Sequence, residues 1–209
     1  MSLHKEISFE SEICQHLSDH GWLHAEGDAA AYDRARALFP ADVLAWVQAT
    51  QPHLRVVRQV RYSLHNENSI DLVLFLNGLP VATVELKTNF TQSIGDAIDQ
   101  YRFDRDPRPK GQPAEPLLSF PHGALVHFAV SNSEVAMVTR LDGPATVFLP
   151  FNQGNDGGAG NPVNAAGGRR TAYLWEQVWA RESWLEIIGR YLIAQRNEKK
   201  QIIAVIFPN

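Results

Sequence analysis

The chain has 209 residues with 44% hydrophobic and 20% charged side chains, which excludes a disordered or fibrous polypeptide and allows a core that needs no covalent staple. A single cysteine, Cys14, excludes a disulfide framework and any cysteine-rich metal cluster and suits a reducing compartment, so a cytoplasmic location is expected. The formal net charge of -4 excludes a uniformly basic nucleic-acid binder, though not a local basic patch, and no apolar run approaches the ~20 residues that would span a membrane.

Phe9, Ile13, His16 and Leu17 recur at helical spacing, so a helix is predicted from Phe9 to Leu17, with Ser8 as its N-cap and Gly21 as its stop. A second helical stretch, Tyr32 to Gln48, is interrupted by Pro40 and reads as two short helices carrying Val43, Leu44 and Trp46 on one side. From Arg55 the period changes, and Val56, Val57, Val60 and Tyr62 among arginines suit a half-buried strand. Two stronger strands follow, Ile70 to Leu76 and Pro80 to Lys87, joined by Asn77-Gly78, a hairpin signal because both residues tolerate positive φ.

Ser93 to Arg105 returns to helical spacing and stops before Asp106-Pro107. Prolines crowd the stretch from Pro107 to Pro121, which reads as an extended loop, and strands are predicted at Gly123 to Val130, Glu134 to Leu141 and Ala145 to Pro150. Glycine and asparagine dominate Phe151 to Arg170, read as a mobile surface loop. Trp175, Val178, Trp179, Trp184, Ile187, Ile188 and Tyr191 then form a helical pattern, with the tryptophans as a packing face, before a strand-like run at Ile202 to Phe207.

Asp71 interrupts one apolar run, and Glu85 with Lys87 interrupts the next. Charges are rare in buried strands because removing them from water costs several kcal/mol, so each needs a compensating partner. Glu85 and Lys87 share a face, and with Asp71 they would place two carboxylates and an ammonium in one small volume. That chemistry suits a hard cation such as Mg²⁺, which takes oxygen ligands, polarises a phosphodiester and acidifies a bound water. Parity sets a condition. A regular two-residue hairpin puts Asp71 and Glu85 on opposite faces, so an odd connection or a one-residue bulge is required. The competing reading leaves Asp71 at a solvated strand end and makes Glu85 and Lys87 edge charges that discourage aggregation.

Asp71, Glu85-Leu86-Lys87 after a hairpin, and a helix bearing Gln100 resemble the PD-(D/E)XK nuclease motif. More specifically, Asn77-Gly-Leu-Pro-Val-Ala-Thr-Val-Glu-Leu-Lys87, Asp96-Ala-Ile-Asp-Gln-Tyr-Arg102, Val126-His-Phe-Ala-Val130, Phe148-Leu-Pro-Phe-Asn152 and Gly158-Ala-Gly-Asn-Pro162 resemble the N-terminal nuclease region of the motor (R) subunit of type I restriction-modification enzymes. The resemblance implies an α/β fold with a restriction-endonuclease-like mixed β-sheet flanked by α-helices. It implies a type I site-specific deoxyribonuclease cutting double-stranded DNA with Mg²⁺, in a complex with methylation and specificity subunits. A nuclease domain over 1–195 would be followed at 196–209 by the approach to a helicase-like motor. ATP would serve that motor, since no phosphate-binding Gly-x-x-x-x-Gly-Lys-[Ser/Thr] loop is present here.

Carried over by residue, Asp71 and Glu85 would ligate metal, the Leu86 carbonyl would add a ligand, Lys87 would be the catalytic lysine, and Gln100 would position DNA or that lysine. Glu10 or Glu12 would supply the first-helix glutamate that many such nucleases bring to the metal. The family's Gln-x-x-x-Tyr element is departed from, because Asp104 stands four residues after Gln100 and the nearest tyrosine is Tyr101. Arg58, Arg61, Tyr101, Arg102 and Arg105 are the candidates for DNA contact. The alternatives are a catalytically silent domain that binds DNA or partner subunits, and a stand-alone repair nuclease of the same fold.

Overall fold

Six strands form one mixed sheet in sequence order: β1 (Leu54–Arg61), β2 (Ser69–Leu76), β3 (Leu79–Leu86), β4 (Val126–Val130), β5 (Val135–Val138) and β6 (Leu149–Pro150). This is a computed structural model, and it describes residues 2–48, 51–88, 93–165 and 167–208. All neighbouring strands are antiparallel except β3 and β4, whose parallel pairing requires the crossover that runs through α3 (Ile94–Asp99). The helices flank the sheet, giving the α/β architecture expected of a restriction-endonuclease-like fold.

One face of the sheet, with Leu72, Leu74, Val84, Leu86, Phe128 and Val130, packs under α1 (Ser2–Asp19) and the tryptophan-rich C-terminal helices. The predicted first helix extends further toward the N-terminus, and Phe9, Ile13 and Leu17 are buried as its stripe requires. Trp175, Trp179 and Trp184 are packing residues here, and Trp22 donates its indole N–H to the Trp179 carbonyl at 2.9 Å. The opposite face, with Val57, Val73 and Phe75, is covered by Phe39, Tyr101, Leu117 and Leu141. The Tyr32–Gln48 stretch holds one regular helix, α2 (Pro40–Gln48), opened by Pro40; a 3₁₀ turn (Asp28–Ala31) precedes it. Leu44 and Trp46 lie exposed on α2.

The β2–β3 hairpin turns on Asn77 (φ 53) and Gly78 (φ 79), pairing Leu76 with Leu79 and Phe75 with Pro80. The register then slips by one residue, so that Leu74 pairs with Ala82 and Leu72 with Val84. Val81 is the extra residue of a bulge next to Pro80, which has no N–H to give to a ladder. The irregularity required by the parity argument is present, and it sets Asp71 opposite Glu85.

One sequence reading changes. The Gly/Asn segment is held by its amides: Asn161, which is buried, donates to the Ser133 carbonyl at 3.0 Å and to Asn152 at 2.8 Å, and Asn152 accepts from the Val135 N–H at 2.9 Å. Carboxamides satisfy that backbone where apolar side chains are lacking. At the C-terminal end β7 (Ile193–Arg196) and β8 (Ile202–Ile206) form a hairpin, and buried Phe207 packs edge-on against Phe128 and Phe151.

Candidate active site

The charged residues of β2 and β3 converge where the two strands part. The last ladder pair is Leu72 with Val84, and beyond it the Leu86 N–H donates to the Asp71 carboxylate at 2.8 Å instead of to a β2 carbonyl. Asp71 therefore stands over the mouth of the hairpin facing Glu85. Glu85 is fully buried, accepts from Arg105 Nε at 2.8 Å through one oxygen, and has no hydrogen-bond partner for the other. Burial, and then repulsion from Asp71, push the Glu85 carboxyl well above its ordinary range against the pull of Arg105. One guanidinium, that of Arg105, faces two neighbouring carboxylates, so the cost of burying them is only partly offset.

Lys87 continues the strand beyond β3, its N–H bonded to the Val130 carbonyl at 2.9 Å. It is 9% exposed, and its ammonium has no ion pair among the described residues. The side-chain alternation of a strand returns it to the face of Glu85, while Leu86 enters the opposite core.

Of the two first-helix glutamates, the structure brings Glu10 toward this cluster. It is buried on α1 and accepts from Arg58 Nε at 3.0 Å and from Gln59 at 2.7 Å, and the same Gln59 amide reaches Asp71 at 3.1 Å. Burial first, then the nearby Asp71, raise the Glu10 carboxyl. Glu12 faces elsewhere and pairs with Arg169 at 2.8 Å. Gln100 sits where α3 widens into a π-helical turn (Gln100–Asp104), its side-chain oxygen buried without a partner. Such turns mark departures from regular packing.

The expected DNA-contacting side chains are mostly committed inside the protein. Tyr101 is fully buried, its hydroxyl bonded to Thr83 at 2.8 Å, so it packs α3 onto the sheet and does not face DNA. Arg105 is buried against Glu85, a different partner from the neighbouring Asp104 and Asp106 of its own loop. Arg58 is held by Glu10, and Arg102 donates to the Thr146 carbonyl at 3.1 Å. Arg61 is exposed and pairs with Glu67 at 2.5 Å.

Sequence reasoning missed Gln59, whose backbone takes a positive φ of 50 opposite Asp71, and the buried Thr83, which links Tyr101 to His127 at 2.7 Å. Desolvation pushes His127 down to about 3, so it is a neutral packing residue at physiological pH. A glutamine or threonine inside a strand leaves little sequence signal, and only the register shows which neighbours it meets.

Among the described residues no set of three or more His, Cys, Asp or Glu side chains is arranged to hold a metal ion. The donor set consists of Asp71, Glu85 and the backbone at Leu86. That is few protein ligands for Ca²⁺, but it fits Mg²⁺, which keeps several waters and commonly takes only one or two carboxylates. The unpartnered oxygen of Glu85 is the atom that asks for such a cation.

No helix is long and apolar enough to cross a membrane among the described residues. No curated protein and no solved structure gave a match. The family model of the type I restriction enzyme R protein N terminus matches residues 6–146 and so takes in every strand of the hairpin site, Gln100 and Arg105. With two-thirds of its length matched, the chain belongs to the type I restriction enzyme R protein N-terminal family.

Proposed function

We propose that this chain is the Mg²⁺-dependent endonuclease domain of a type I restriction enzyme R subunit, hydrolysing phosphodiester bonds of double-stranded DNA. The observation that carries the reading is the bulge at Val81, which sets Asp71 against Glu85 and leaves one buried Glu85 oxygen without a partner. Asp71, Glu85 and the Leu86 carbonyl are the groups that would hold Mg²⁺. When bound, the ion supplies a polarised phosphodiester and a water acidified toward neutral pH.

The chain's own groups do the rest. Lys87, tethered to the same strand, places its ammonium beside the reacting phosphate, where it orients the attacking water and offsets charge gathering on the phosphorane. Arg105 holds the Glu85 carboxylate in one orientation from the rear. The unpartnered Gln100 oxygen supplies an acceptor for positioning Lys87 or DNA. A helicase-like, ATP-using motor following this domain, with methylation and specificity subunits, would deliver the duplex.

The test is nicking of supercoiled plasmid by the complete assembly with Mg²⁺. Wild type should cut, Lys87→Ala should lose at least about a hundredfold in rate, and chelation should abolish cutting. Equal cutting by both proteins would remove Lys87 from the chemistry. Binding without cutting by either would favour the silent DNA-binding reading, toward which the Arg105–Glu85 pair points because it already supplies Glu85 with a counter-charge.

A further inference from the structure

The arginines of this protein are nearly all paired with carboxylates. Among the described residues, the exceptions are Arg108, Arg140, Arg170 and Arg196. Three of these four line one groove, together with Lys200, for which no ion pair occurs among the described residues either. The groove has a volume of about 750 Å³ and lies between the loops at 106–108, 120–122 and 140–143 and the β7–β8 hairpin. Asp106 and Asp142 also line it, so the cations outnumber the acids. In a chain of net charge -4 such a concentration of unpaired guanidinium groups is local.

We propose that this groove binds the sugar–phosphate backbone of the duplex that the neighbouring site cuts, a proposal resting on the nuclease reading for the nature of its ligand. Guanidinium groups fork onto phosphate oxygens and release condensed counterions when they do. All four cationic residues are exposed, so they meet a ligand without first breaking an internal pair. The Arg140 guanidinium lies over the Phe120 ring at 5.5 Å, and Arg196 spends one nitrogen on the Lys200 carbonyl at 3.0 Å, which tightens the hairpin turn.

The groove is tied to the cleavage site by chain continuity. Arg105, on Glu85, is followed at once by the groove residues Asp106 and Arg108. The volume suits a stretch of one strand's backbone, leaving the bases outside. That predicts affinity without sequence preference, in keeping with phosphate contacts. The C-terminal hairpin thus acquires a role for which the arginines expected from sequence are less free, because those are engaged by Glu10, Glu67, Glu85 and the Thr146 carbonyl.

The test is fluorescence anisotropy of a labelled DNA duplex against this chain in a buffer free of divalent cations, repeated over a series of salt concentrations. Arg140→Gln, Arg196→Gln and Lys200→Gln should each weaken binding several-fold for any sequence, and each should reduce the slope of log affinity against log salt by about 1. Arg190→Gln, exposed and paired with Glu186, should change neither. A triple groove variant that binds with wild-type affinity and slope overturns the groove assignment, as does a wild-type chain that shows no binding at the lowest salt. The nuclease reading stands or falls separately. If Lys87→Ala abolishes plasmid nicking while the groove variants bind normally, only the groove is lost. If the groove variants lose binding while Lys87→Ala still cuts, only the role of Lys87 is lost.

Discussion

Arg105 contributes to both stability and the site, because its guanidinium is the counter-charge in direct contact with a fully buried carboxylate. Removing one partner of such a pair leaves an uncompensated charge, so Arg105→Gln should destabilise the chain by about 3 kcal/mol at neutral pH. The pH dependence has a definite sign. Burial and Asp71 raise the Glu85 carboxyl above its ordinary value of 4.5, so the fold prefers it protonated, and that contribution is complete below about 4.5 and lost as the pH rises. Without Arg105 the carboxyl rises further, so the deficit should be no larger at pH 4.5, where Glu85 is protonated with or without Arg105, than at neutral pH. Urea melts at the two pH values check this, and a deficit that grows in acid would contradict it. Asp71, Glu85 and Lys87 were legible as charges in apolar runs; Arg105 as the partner of Glu85 was not, because the two lie 20 residues apart and only the fold brings them together.

The β2–β3 hairpin decides whether the site exists, and its turn is clamped onto α2. The Phe39 N–H donates to the Gly78 carbonyl at 2.9 Å, and a Cβ on Gly78 would stand 2.5 Å from the Phe39 carbonyl oxygen and 2.8 Å from the Val43 nitrogen. With φ at 79, the position is also one that L side chains rarely adopt. Gly78→Ala should therefore cost about 2–3 kcal/mol, read as a lowered thermal midpoint, whereas Gly111→Ala, with open space around it, should cost less. A smaller loss at Gly78 than at Gly111 would show that the turn is not clamped. The strands were readable from period-two patterning and the turn from Asn77-Gly78, and parity demanded a bulge. Its location at Val81 needed the coordinates, since Pro80 merely permits the slip there.

Across the whole molecule, the core extends to Phe207. Phe207, buried against Phe128, Phe151 and Trp184, ties the terminal hairpin to the sheet. Phe207→Ala should cost about 3 kcal/mol in a urea melt, as for other buried phenylalanines; a change below about 0.5 kcal/mol, typical of surface positions, would remove Phe207 from the core. The first strand of the hairpin escaped notice because Ile193–Arg196 is exposed along its length and carries no alternating pattern. The register of the hairpin and the burial of its edge converge on one arrangement, Asp71 facing Glu85. Isothermal titration of Mg²⁺ into the chain tests it most directly. One site should appear in wild type and in Lys87→Ala, and vanish in Asp71→Asn and Glu85→Gln. Undiminished binding in both carboxamide variants would contradict the arrangement as a metal site.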